Sequence, residues 1–307
     1  MENIYNIRYV YLRIVLKMKE SGHLPKDKES AIRGCIGNEL MEAHCDSDGN
    51  CKSCDHRDAC VVQKVMYSPF IIKPDFVTTG ESIGYVIECD DKKTFFHDGE
   101  RLQFKIILFG QSLECAGVML NAIRKAGERG LGKDSVNYYL EYACDGRENV
   151  IYENDCFHKD RLAVDCISDY VKKRKEEIGA GEDIRITFMT PTTIKYQKSF
   201  IDAFNPEAVL QSMARRIYML NCFVGNDIEY PYVMVEDLPT LGDENSHLES
   251  VRRYSERKNE MMTLRGLCGY MEMSDVNERM LDVILACELT HIGKNTSFGF
   301  GKYEVES

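Results

Sequence analysis

Residues 102–108, LQFKIIL, alternate apolar Leu102, Phe104, Ile106 and Leu108 with outward Gln103 and Lys105. A period of two over that length specifies a strand with one buried face. One such strand excludes little, but the order in which it recurs excludes most folds. An apolar stretch over residues 4–18 reads as a long strand, and a helix follows from Lys28 to His44 with Ala31, Ile32, Cys35, Ile36, Leu40 and Ala43 on one stripe. The 102–108 strand, a helix from Ser112 to Glu128 and an alternating strand through Val136, Tyr138, Leu140 and Tyr142 complete the first half.

The second half repeats that order. A strand runs through Ile184, Ile186 and Phe188, and a helix opens at Asn205-Pro206, with Asn as N-cap and Pro at the first helical position. Two strands surround 262–273, broken at Gly266 and Gly269; Asp275 can cap a last helix, and FGKYEV is a final strand. Residues 157–178 read as a helical connector. Two consecutive βαββαβ-like units predict a duplicated α+β fold, with domains at 1–150 and 151–307.

Composition narrows the function classes. No stretch approaches the run of about 20 apolar residues that a membrane span requires. The N-terminus scatters Arg and Lys among its apolar positions, which is not a signal-peptide layout. Thirteen cysteines without such a signal predict a reducing, cytoplasmic setting. A formal charge of −11 argues against a generic nucleic-acid coat, yet residues 1–34 hold seven Lys/Arg against four Asp/Glu, so a local basic site is compatible.

Within a polar insert, HCDSDGNCKSCDHRDAC places Cys45, Cys51, Cys54 and Cys60 at C-x5-C-x2-C-x5-C. Four thiolates at that spacing suit a tetrahedral ion, and burial cannot explain cysteines in so polar a loop. Zinc is the expected metal, an iron–sulfur cluster the alternative, and His44 or His56 can replace one thiolate. With four cysteines the coordination sphere is closed, so the site is expected to be structural.

Near the end of the chain, THIGKNTSFGFGKYEVE combines Gly293, Gly299 and Gly301 with Lys294 and Lys302. A glycine-rich, cationic loop between a helix and a strand can cradle phosphates with its backbone. Arg252, Arg253 and Arg257 surround Tyr254 in a second cluster that suits phosphate contacts and base stacking.

In order along the chain, AIRGCIGNEL (31–40), LFG (108–110), GERGLGKDSVNYYL (127–140), ITFMTPTTIKY (186–196), MARRIYMLN (213–221), VRRYSERKNEMMTLRGLCGYME (251–272) and THIGKNTSFGFGKYEVE (290–306) form a recognisable series. It resembles the CRISPR-associated endoribonucleases of the RAMP superfamily that cut precursor crRNA within its repeats. The resemblance implies two tandem ferredoxin-like (RRM-like) domains, here with the cysteine insert in the first, and a terminal glycine loop that contacts RNA. It also implies metal-independent cleavage, in which the 2′-hydroxyl attacks the adjacent phosphate and leaves a cyclic phosphate and a 5′-hydroxyl.

Such a reaction needs a base, an acid and cations for the phosphorane charge. Family members usually carry a catalytic histidine after the first strand or on the first helix. His23 lies in the loop after the first strand, His44 ends the first helix, and His291 heads the glycine loop. Lys294 is the expected phosphate stabiliser. The implied partners are CRISPR repeat RNA, its crRNA product and other CRISPR-associated proteins, with no membrane. Two other readings are a non-catalytic RAMP subunit that binds crRNA and scaffolds an effector complex, and an iron–sulfur redox protein built on Cys45–Cys60.

Overall fold

A computed structural model describes residues 4–47, 49–51, 54–56, 59–77, 82–179, 183–231, 238–255 and 260–307. Contacts divide the chain into two units, Tyr9–Val164 and Asp165–Ser307, the latter joined by the described part of Met1–Arg8. The strand expected over 4–18 therefore begins only at Arg8. Residues before it belong to the second unit, where Ile167 N donates to Ile7 O (3.0 Å), Ser168 N to Tyr5 O (3.0 Å) and Asn221 Nδ2 to Ile4 O (2.9 Å).

The first unit contains β1 (Arg8–Met18), α1 (Glu29–His44), α2 (Val61–Tyr67), β2 (Tyr85–Glu88), β3 (Arg101–Phe109), α3 (Ala116–Ala126) and β4 (Tyr138–Cys144). Its antiparallel strands lie in the order β2-β3-β1-β4, and a hairpin of Val150–Glu153 and Cys156–Phe157 extends the sheet beyond β4. The boundary expected at 150/151 falls inside this sheet. Period two does the folding: Leu12 pairs with Ile106, Ile14 with Phe104 and Leu16 with Leu102, and all six are buried under Ile32, Ile36, Met119 and Ile123. Each side chain of that size contributes about 1.5–3 kcal/mol on leaving water.

The second unit contains α4 (Ile167–Ile178), β5 (Ile184–Thr192), α5 (Pro206–Val224), β6 (Thr240–Ser255), β7 (Glu260–Ser274), α6 (Glu278–Thr290) and β8 (Tyr303–Glu306). The strand order β6-β7-β5-β8 matches that of the first unit element for element. Asn205 caps α5 by accepting from Ala208 N (2.9 Å), ahead of Pro206. Phe188 of β5 stacks on Phe204 at 3.8 Å and lies 5.6 Å from Tyr303 of β8.

Two local expectations are corrected. Residues 262–273 are one strand, because Gly266 and Gly269 let its neighbours approach rather than breaking it: a Cβ on Gly269 (φ 123°) would stand 2.0 Å from Asn245 O. Its partner β6, TLGDENSHLESVRRYS, is mostly exposed, so it lacks the alternation that identifies a strand. The last helix is capped by Asn277, which accepts from Met280 N (3.0 Å), and not by Asp275. Among the described residues no helix is long and apolar enough to cross a membrane.

Candidate active-site and RNA-contact residues

In the first unit, His23 lies on a two-residue strand paired with Phe95–Phe96. Its ring meets the edge of Phe95 at 4.9 Å, and Nδ1 stands 3.4 Å from Asp134 Oδ2. The His23 side chain is 68% exposed, so a ligand can reach it. Asp134 arrives on a turn closed by mutual backbone bonds of Leu131 and Val136 (2.9 and 3.1 Å). That turn packs closely on the loop carrying His23: a Cβ on Gly132 (φ 77°) would lie 3.2 Å from Pro25 Cδ and 3.6 Å from His23 O. A solvent-facing imidazole beside a carboxylate is equipped to move a proton, with the carboxylate orienting the ring.

The other two histidines occupy different settings. His44 is exposed at the end of α1 and lines a cavity with Cys45, Cys51, Cys54, His56 and Cys60. His291 is fully buried at the end of α6, with its ring Nδ1 3.0 Å from Phe300 O. Its ring is closed off from solvent in this structure, and the contact with Phe300 ties the end of α6 to the glycine loop.

The glycine loop itself is backbone packed on backbone. Ile292 N donates to Gly301 O (3.1 Å), Gly301 N to Pro191 O (3.2 Å) and Thr190 Oγ1 to Gly299 O (2.8 Å). A Cβ on Gly301 (φ 75°) would sit 1.9 Å from Ile292 O, and one on Gly293 (φ 73°) 2.6 Å from Thr193 O. These glycines are needed by the protein's own fold, whatever the loop binds. Gly299 and Gly301 are buried, and Lys302 is half-buried with its carbonyl accepting from Met189 N (2.9 Å). Lys294 is exposed; its N–H donates to Thr193 O (2.9 Å) and its Nζ lies 5.6 Å over the ring of Phe200.

Phe200 is 62% exposed on a hairpin, Lys195–Tyr196 with Ser199–Phe200, that also carries exposed Lys195 and Lys198. Sequence reasoning missed this element because its turn residues, Gln197 (φ 45°) and Lys198 (φ 69°), are neither Gly nor Asn. An exposed aromatic ring among lysines suits base stacking beside phosphate contacts. Arg252 and Arg253 point to opposite sides of β6, as neighbours on a strand do. Arg252 is exposed, while Arg253 places its guanidinium 4.4 Å over Phe298 of the glycine loop. Arg257 lies outside the described residues.

The four cysteines expected to hold metal line one cavity, but among the described residues no three His, Cys, Asp or Glu side chains form a ready metal site. None of the thirteen cysteines is in a disulfide. Sequence reasoning also missed Asp134, although its segment, GERGLGKDSVNYYL, is one of the recognised motifs. Nothing in a linear sequence tied that turn to His23.

Comparison with known proteins places these features. Residues 7–163 match the AF_1859_N family, described as an N-terminal domain, and residues 186–303 match the CRISPR-associated endoribonuclease Cas6 family. A partial Cas6-RT-Cas1–Cas2 complex superposes with a TM-score of 0.58 at 13% identity, over 99% of this chain and 47% of that one. The chain thus spans about half the length of that relative. A Thermus thermophilus Cas6 product complex gives 0.53 at 12% identity, over 96% of this chain and 98% of the other. A further Cas6 product complex gives 0.51 at 14%, over 98% and 100%. At these identities the likeness is one of fold, and it identifies the two units as tandem RRM-like domains. No curated protein matches the chain.

Proposed function

We propose that this chain, whose residues 186–303 match the CRISPR-associated endoribonuclease Cas6 family, cuts CRISPR repeat RNA by internal transesterification with His23 as the proton-transfer residue. The 2′-oxygen bonds to phosphorus and the bond from phosphorus to the 5′-oxygen breaks. One proton leaves the 2′-hydroxyl and one reaches the departing 5′-oxygen, giving a cyclic phosphate and a 5′-hydroxyl. RNA supplies its own nucleophile, so no activated serine or cysteine is required.

The observation that carries this reading is the exposed His23 imidazole 3.4 Å from the Asp134 carboxylate, on a turn packed against its own loop. Asp134 acts as a positioning residue, favouring one ring orientation. Lys294 and Phe200 in the second unit are proposed to hold RNA, by phosphate attraction and base stacking respectively. His44 is set aside from catalysis because it shares its cavity with the cysteine cluster. Because one relative forms a complex with RT, Cas1 and Cas2, docking to other CRISPR-associated proteins belongs to the same proposal.

The test is incubation of the purified chain with end-labelled repeat RNA from its own locus in EDTA, beside the same RNA bearing a 2′-deoxy substitution at the cut. Cleavage at one site, blocked by the deoxy substitution, is the expected result. RNA that shifts on a gel yet stays intact would instead make this chain a crRNA-binding subunit. Undiminished cutting by His23→Ala would transfer the proton-moving role to another residue.

A further inference from the structure

We propose that Cys45, Cys51, Cys54 and Cys60 bind one structural zinc ion that staples residues 45–60 to the first unit, a role separate from RNA cleavage. Three observations meet here. The outer two cysteines are held by helices: Cys45 follows the last residue of α1, with its N–H donating to Met41 O (2.9 Å), and Cys60 N-caps α2, its carbonyl accepting from Lys64 N (3.1 Å). Both pack against the hydrophobic core. The inner pair, Cys51 and Cys54, form the C-x2-C knuckle on the loop between, and all four cysteines are half-buried on the wall of one cavity of about 190 Å³.

The backbone already treats Cys45 as an acceptor. Gly49 N–H points at its Sγ at 3.3 Å, from a left-handed conformation (φ 78°) that glycine adopts without strain. That contact fixes where the Cys45 sulfur points, towards the loop that carries the other thiols. The cavity is larger than one ion requires, and no ready metal group exists among the described residues, so the ion itself draws the loop thiols inward. That behaviour is expected where metal binding and local folding are coupled.

Residues 45–60 offer little apolar surface to offset the entropy of ordering them. Four thiolates at about 2.3 Å from zinc would do so, releasing up to four protons as four thiols become ligands of one Zn²⁺. Thiolates select zinc over magnesium or calcium. A sphere filled by four cysteines leaves no position for water or phosphate, so the ion does not enter the cleavage reaction.

The experiment is elemental analysis and native mass spectrometry of the purified full chain, alongside the double variant Cys51→Ser/Cys54→Ser and the control Cys156→Ser, an exposed cysteine outside the cluster. One zinc per chain, kept in the control and lost in the double variant, is expected. Chelator-stripped chain titrated with cobalt(II) should develop intense sulfur-to-cobalt charge-transfer absorption at one equivalent, which keeps the test valid if the double variant fails to fold. Iron with visible absorption, zinc retained by the double variant, or stripped chain that takes up no cobalt would each overturn the proposal. Since the zinc and cobalt readouts involve no RNA, they stand or fall independently of cleavage.

Discussion

His23 and His291 have the same side chain and opposite environments, and substitution should separate them cleanly. His23→Ala is expected to reduce repeat cleavage by about 10²–10⁴-fold with RNA binding retained, the usual range for a lost proton-transfer group. Asp134→Asn keeps the shape but removes the charge, and should cause a smaller loss, read as single-turnover rate against affinity. His291→Ala removes a fully buried ring beside the Phe300 carbonyl. It should lower stability by about 1–3 kcal/mol in denaturant titration, the cost of an orphaned buried acceptor. Cleavage by the folded fraction should persist. Cutting abolished by His291→Ala in a fully folded chain would contradict this division of roles.

Secondary-structure elements are tied together by two carboxylates that no local pattern in the sequence discloses. Glu288 of α6 is 8% exposed and accepts from Arg174 of α4 (2.7 and 3.0 Å), Tyr170 (2.9 Å) and the Val305 amide of β8 (2.9 Å). Arg174 is held in its charged form chiefly by these bonds. Glu288→Ala leaves that cation with only Glu177 (2.8 Å) and the Val305 carbonyl (3.0 Å), and should cost about 1.5–3 kcal/mol by chemical denaturation. Asp145 organises the turn after β4 by accepting from Arg147 N, Asn149 N, Asn149 Nδ2 and Ala163 N, each at 2.9 Å. Burial pushes its carboxyl up, but those four donors outweigh burial and hold it below the ordinary aspartate value. With the folded value depressed, the unfolded chain binds more protons in acid. The contribution is therefore complete above about pH 3.9 and lost as pH falls through the folded value. Stability of Asp145→Ala should fall less steeply than the parent's over that acidic window.

For the whole molecule, a charge of −11 means that, on the proposed function, RNA is held by local cations against an unfavourable average field. Binding should consequently weaken steeply with salt. Removing one phosphate contact with Lys294→Ala should reduce the slope of log affinity against log salt by about 0.7, the value per contact for single strands. An unchanged slope would take Lys294 out of the interface.

Much of the duplicated βαββαβ order was legible in the sequence because strands such as LQFKIIL show period-two alternation and helices a stripe or cap, as at Asn205-Pro206; β2, buried at all four positions, shows no alternation and was not. The family resemblance was legible because its motifs occur in order along the chain. Polar β6 and the Gln197-Lys198 hairpin were not legible: backbone pairing holds them, and it leaves no hydrophobic pattern. Candidate histidines could be named from their places in the sequence, but not ranked. Ranking them depended on burial and on long-range proximity, which set His291 into the core and carried Asp134 to within 3.4 Å of His23. Those are properties of how distant segments pack, and only the tertiary structure decides them.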